Sequence, residues 1–153
     1  MKSSRSSGSD LRTRALAALT RKERTQSELV ALLSRHAPTE ECQALVAALA
    51  REGLQSDERA ALSRARAALR LRRTRSRAEQ ELQAAGVDPA TASRAVAEAY
   101  ADHDDQQRLH DALQTLRGTP PALRLKAARK LIRQGFDPER VEAALQDATE
   151  DTG

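Results

Sequence analysis

A chain of 153 residues with 31% charged residues, one Cys, one Tyr, one Phe and no Trp excludes several classes at once. A single cysteine leaves no internal disulfide framework, and no window approaches the ~18 consecutive apolar residues that a membrane-spanning helix needs. The formal net charge of +4 is uneven: residues 1–75 hold 16 Lys+Arg against 8 Asp+Glu (+8), and residues 76–153 hold 10 against 14 (−4). A basic half of this kind suits an anionic partner.

The residues that favour strands, β-branched and aromatic, are scarce, whereas the helix formers Ala, Leu, Arg, Glu and Gln dominate. An all-α chain follows. Its core must be thin, because alanine buries little area per residue. The opening MKSSRSSGSD has no apolar run behind it, so it reads as a disordered tail over residues 1–9 and not as a secretory signal. The expected setting is soluble and cytoplasmic.

Asp10–Arg21 carries Leu11, Ala15, Leu16 and Leu19 at helical spacing. Thr25-x-x-Glu28 has the form of a capping box opening a second helix. In ELVALLSRHAPTEECQALVAAL (28–49) a turn at Pro38 leads to a third helix, with Thr39 as its expected cap and Glu40 and Glu41 in the positive first turn. Cys42 falls in an Ala/Leu context and reads as a small core residue. Ser56–Arg73 places Ala61, Leu62, Ala65 and Leu69 on one stripe, and Ser76-x-x-Glu79 is a second capping-box pattern. Asp104–Arg117 repeats the helical spacing with Leu109, Leu113 and Leu116.

A repeat links these pieces. ELQAAGVDPATASRAVAEAY (81–100) matches KLIRQGFDPERVEAALQDAT (130–149) at an offset of 49, pairing Gly86 with Gly135, Val87 with Phe136, Asp88 with Asp137 and Pro89 with Pro138. Glycine can take the left-handed turn that ends a helix, one apolar residue packs behind it, Asp caps the next helix and Pro fills its first turn. Residues 28–49 form a weaker third copy without the glycine. The chain therefore reads as three tandem three-helix units, 10–52, 54–102 and 104–149, in an elongated, bent array with flexible joints at 53–56 and 101–105.

For an enzyme the residues are poor. There is no phosphate-binding or nucleophile-elbow glycine motif. His36 precedes a turn, His110 beside Asp111 reads as a helix-surface pair, and His103 lies in DHDD (102–105), better read as an acidic linker and helix cap than as a metal cluster. No catalytic residue, metal or cofactor is assigned.

The basic residues are richer. Eight arginines fall between Arg59 and Arg77 with no Asp or Glu among them. On one continuous helix, Arg59, Arg66, Arg70 and Arg73 would share a face and Arg77 would extend it, with Arg64, Arg72 and Arg75 on other sides. The segment is better divided: Leu69–Arg73 closes one helix, Thr74 and Arg75 lie between, and Ser76 caps the next. A solvated basic face usually carries compensating acids at i±4, and none lies within these 19 residues. A smaller cluster comprises Arg124, Lys126, Arg129, Lys130 and Arg133, with Leu123, Ala127, Leu131 and Ile132 as its expected buried face. Either cluster suits phosphate or carboxylate recognition.

SELVALLSR, LVAALAREGLQSDERAALSRAR, SRAEQELQAAGVDPATASRAVAEAY and KAARKLIRQGFDPERVEAAL, taken in order and spacing, resemble the RecX family of RecA-recombinase regulators over roughly residues 12–147. The family's acidic pair has counterparts in Asp57 and Glu58, while Ala60 and Leu62 stand where aromatics are usual. The resemblance implies an all-α, non-enzymatic modulator that binds in the groove of the RecA–DNA filament, represses ATP hydrolysis, strand exchange and coprotease activity, and also touches DNA. A monomer acting on the filament and on single-stranded DNA is the resulting expectation. A helical protein acting directly on nucleic acid through its arginine ridge is the alternative.

Overall fold

The computed structural model describes residues 4–150, with side chains from residue 8 onward. Among the described residues the chain is all-α: α1 (Ser4–Arg21), α2 (Gln26–Leu33), α3 (Thr39–Arg51), α4 (Asp57–Arg70), α5 (Arg75–Ala84), α6 (Pro89–Ala99), α7 (Asp105–Gly118), α8 (Pro121–Arg133) and α9 (Pro138–Glu150). The tail expected over 1–9 is helical from Ser4 on, and residues 1–3 of it lie outside the described residues. Asp10 therefore lies inside α1. The Thr13 hydroxyl donates back to the Ser9 carbonyl at 2.9 Å, which satisfies a polar side chain inside the helix.

The local chemistry accounts for most boundaries. Thr25 opens α2 through a complete capping box: its Oγ1 accepts from the Glu28 N–H at 3.1 Å and Glu28 Oε1 accepts from the Thr25 N–H at 3.0 Å. Burial at Glu28 opposes its ionisation, but the Thr25 N–H and the Arg64 guanidinium outweigh it and hold the carboxyl below its ordinary range. Asp88 caps α6 and is also held below its usual range, first by the Thr91 hydroxyl and then by the Thr91 N–H.

Two expected caps are corrected. Pro38 precedes α3 without a side-chain bond, and Thr39 is the first helical residue. Thr74, not Ser76, caps α5, accepting from the Arg77 N–H at 3.2 Å. The second shift follows from where α4 stops. Arg72 adopts φ 61, and its N–H and that of Arg73 close back on Leu69 (2.9 Å) and Ala68 (3.0 Å). This is a helix-ending turn normally given to glycine, and it brings the chain to Thr74 two residues early.

Three apolar cores form, one among α1–α3, one among α4–α6 and one among α7–α9. The middle core is built largely of alanine: Ala61, Ala65 and Ala68 of α4 face Ala92, Ala95 and Val96 of α6, while the expected stripe residues Leu62 and Leu69 are only partly buried. Small side chains bring the helix axes close. Leu82, Val87 and a fully buried Tyr100 supply the bulk there, and Leu116, Phe136 and Val141 do so in the third core. Cys42 is buried in the first core.

The joints between cores repeat with the same 49-residue spacing as the sequence. At the first, the Thr25 Oγ1 donates to the Ala85 carbonyl at 2.6 Å, and the Ser27 side chain occupies the space a Cβ on Gly86 would need. At the second, the Thr74 N–H donates to the Gln134 carbonyl at 2.9 Å, and Thr74 and Arg77 occupy the corresponding space at Gly135. Gly86 (φ 92) and Gly135 (φ 104) thus serve twice, by turning the chain and by receiving the neighbouring helix start. The outer equivalents are changed: Ala37 stands 49 residues before Gly86, and an exposed Leu123 stands 49 after Thr74.

Both segments expected to flex take part in hydrogen bonds. Gln55 is buried and its Nε2 donates to the Arg24 carbonyl (3.0 Å) and to Asp57 (2.9 Å). At the second joint Arg75 donates to the carbonyls of Tyr100 (2.7 Å) and His103 (2.9 Å), and Asp104 caps α7.

Candidate functional site

The arginines between Arg59 and Arg77 separate into two groups. Arg59 bonds Glu23 (3.0 Å) and the Gly53 carbonyl (2.9 Å), Arg64 pairs with Glu28, and Arg73 pairs with Glu81 (2.9 Å). Arg75 pairs with Asp105 (3.0 Å) and Arg77 with Glu81 (3.3 Å). The acids missing at i±4 within α4 are supplied by other segments. Such pairs contribute little each at the surface. Those of Arg59, Arg64 and Arg75 link segments around different cores, those of Arg73 and Arg77 stay beside α5, where that of Arg77 is an i,i+4 pair, and all five guanidinium groups are occupied.

Arg66, Arg70 and Arg72 form the second group. All three are exposed, and among the described residues their side chains make no hydrogen bond or ion pair. Arg66 and Arg70 stand one turn apart on α4, and Arg72 follows in the left-handed turn.

The cluster on α8 divides in the same way. Arg124 is structural: its guanidinium donates to the carbonyls of Thr119 (2.9 Å), Ala148 (2.9 Å) and Arg117 (3.4 Å), closing the ends of α7 and α9. Lys126, Arg129, Lys130 and Arg133 are exposed and unpaired among the described residues. At 100° per residue the four fall within roughly 100° of one another, on a helix that carries no acid. The opposite face, with Ala127, Ala128, Leu131 and Ile132, packs into the third core, whereas Leu123, expected to be buried, is 54% exposed.

One cation from each unpaired set, Arg72 and Lys130, lines a cavity of about 530 Å³ between the end of α4 and the α7–α8 pair. Leu69, Leu131 and Phe136 line its apolar part. Behind it lies a joint that no sequence motif announced. The Tyr100 hydroxyl donates to the Arg73 carbonyl (2.9 Å), Arg108 donates to the same carbonyl (2.9 Å), and the guanidinium groups of Arg75 and Arg108 lie 5.6 and 5.4 Å from the Tyr100 ring centroid. Burial pushes the Tyr100 phenol above its ordinary range. The signal available in the sequence was only that the chain has a single tyrosine, placed at a unit boundary.

Among the described residues no group of three or more His, Cys, Asp or Glu could hold a metal ion, and no helix is long and apolar enough to cross a membrane. In DHDD, Asp104 accepts from the N–H groups of Gln106 and Gln107, and Asp105 is taken by Arg75. No family model matches the chain, and no match is found among curated proteins.

Proposed function

We propose that the protein is a non-enzymatic negative modulator of a RecA-type recombinase, a divergent relative of the RecX regulators. It acts as a monomer in the cytoplasm, lying along the RecA–DNA filament and lowering its ATPase, strand-exchange and coprotease activities. The observation that carries this reading is a set of seven exposed cations whose side chains have no partner among the described residues, three on α4 and the turn after it and four on α8, with Arg72 and Lys130 lining one cavity. The repeated joint supports it further. Equivalent positions 49 residues apart meet at both joints, Thr25 with Ala85 and Thr74 with Gln134. We take the units to form an elongated, bent array suited to a helical groove, where several weak contacts add through effective concentration. Arg66, Arg70, Arg72, Lys126, Arg129, Lys130 and Arg133 are the contact residues. Arg59, Arg73, Arg75, Arg77 and Arg124 hold the scaffold that presents them.

Adding the protein to RecA on single-stranded DNA tests this: the DNA-dependent ATPase falls, and an unchanged rate at saturating protein would overturn the proposal. The absence of acid on α8 favours a second reading, direct binding to single-stranded nucleic acid without a protein partner. Under it the salt dependence of affinity steepens by about 0.7 in log–log slope per phosphate contacted, and negligible affinity for a single strand at low salt removes it.

A further inference from the structure

We propose that the cavity between α4 and the α7–α8 pair is a nucleoside-phosphate site, taking either a free nucleotide or one nucleotide of a single strand. Three observations meet there. The volume, about 530 Å³, lies in the range of small-ligand pockets. Its two free cations come from separate elements: Arg72 from the turn after α4 and Lys130 from α8. Neither has a partner within the described residues, unlike Arg108 on the same wall, which is held by the Arg73 carbonyl and the Tyr100 ring. A phosphate is the ligand group that two convergent cations recognise best.

The apolar part, Leu69, Leu131 and Phe136, suits a flat base in place of a bare anion. Asp111 then separates the nucleotide from an acidic peptide. It lines the same cavity, its carboxylate accepts from Gln107 Nε2 (2.9 Å) and pairs with no cation among the described residues, and its backbone carbonyl accepts from the Thr115 hydroxyl (2.9 Å). A carboxylate set beside the two cations accepts from the N–H of a base or from a sugar hydroxyl, donors that a nucleotide carries next to its phosphate and an acidic side chain lacks. The Thr115 hydroxyl, on the same wall, adds another polar group.

The backbone at Arg72 points the same way. A left-handed arginine is strained where glycine would not be, at the position that after α5 and α8 is filled by Gly86 and Gly135. Strain of this kind persists where a side chain is needed.

The test uses the full chain with adenosine monophosphate and, separately, a short oligothymidylate, followed by NMR at the Leu131 methyls and the Phe136 ring. One or both ligands are expected to shift those signals. Replacing Arg72→Gly together with Lys130→Gln weakens binding about tenfold or more, and the glycine suits the turn, so folding is retained. A response to the monophosphate alone assigns a free nucleotide, and a response to oligothymidylate assigns a strand. The proposal is overturned if neither ligand moves those signals, if an acidic peptide moves them in their place, or if the double variant binds as the wild type does. The recombinase reading is separable: nucleotide binding with an unaffected RecA ATPase keeps this site and removes that function.

Discussion

Replacing Arg72 with glycine separates stability from function at a single residue. Arg72 sits at φ 61 with its N–H on the Leu69 carbonyl, and its exposed side chain makes no bond among the described residues. Relieving the left-handed conformation returns ~1–2 kcal/mol. Glycine's greater freedom in the unfolded chain takes back ~0.4–1 kcal/mol. The net gain is about 0.5–1 kcal/mol, or roughly 1–4 °C in Tm for a chain of this size. Thermal melting followed by far-ultraviolet circular dichroism reads the first effect, and titration with single-stranded DNA or a nucleotide reads the second. Arg72→Gly is expected to melt higher and bind more weakly. A variant that melts lower than the wild type would show that the arginine side chain stabilises the turn, and the argument from strain would fail.

Gly135→Ala is expected to destabilise by about 2–4 kcal/mol, since it combines a left-handed alanine with a Cβ driven into Thr74 and Arg77. Hydrogen exchange should show early loss of protection at the Thr74 N–H. Tyr100→Phe removes the bond to the Arg73 carbonyl, which still accepts from Arg108. The cost should be about 0.5–1.5 kcal/mol in urea unfolding, and a loss above 3 kcal/mol would mean that the joint depends on the hydroxyl itself. Glu28 has a folded pKa below its unfolded value of 4.5, so its stabilisation is present above that pH and is lost as pH falls through the folded value. Glu28→Gln should therefore lower Tm at neutral pH, with the difference from wild type shrinking below about pH 4.5; a deficit independent of pH would refute the role given to the ionised carboxylate.

The helices and their glycine turns were legible because the chemistry is local. Gly86-Val87-Asp88-Pro89 and Gly135-Phe136-Asp137-Pro138 each name their turn, buried residue, cap and first helical position within four residues. The same holds for Thr25 and Glu28. Where two caps competed, local reading failed. Ser76-x-x-Glu79 matched the pattern better than Thr74, but the choice was made by the turn at Arg72, and an arginine gives no sign of a left-handed backbone. The arginine segment misled for a related reason. The acids of Arg59 and Arg64 each lie 36 residues away, at Glu23 and Glu28, and that of Arg75 lies 30 away at Asp105, separations that only packing closes, while Glu81, which serves Arg73 and Arg77, lies just past the segment. Arg73 and Arg124 read as ligand contacts in sequence and make anchoring bonds in the fold, whereas the Arg66, Arg70 and Arg72 side chains are exposed and have no partner among the described residues.

The most direct measurement is the single-stranded-DNA-dependent ATPase of RecA, titrated with the wild-type protein and with a variant carrying Arg66→Ala, Arg70→Ala and Arg72→Gly. Those three side chains hold nothing else among the described residues, so the variant keeps the melting temperature of the wild type or exceeds it. Inhibition by the wild type and a loss of about tenfold or more in potency for the folded variant, some 1.4 kcal/mol, is the predicted result. A RecA ATPase indifferent to the wild-type protein, or inhibited equally by both, would contradict the account.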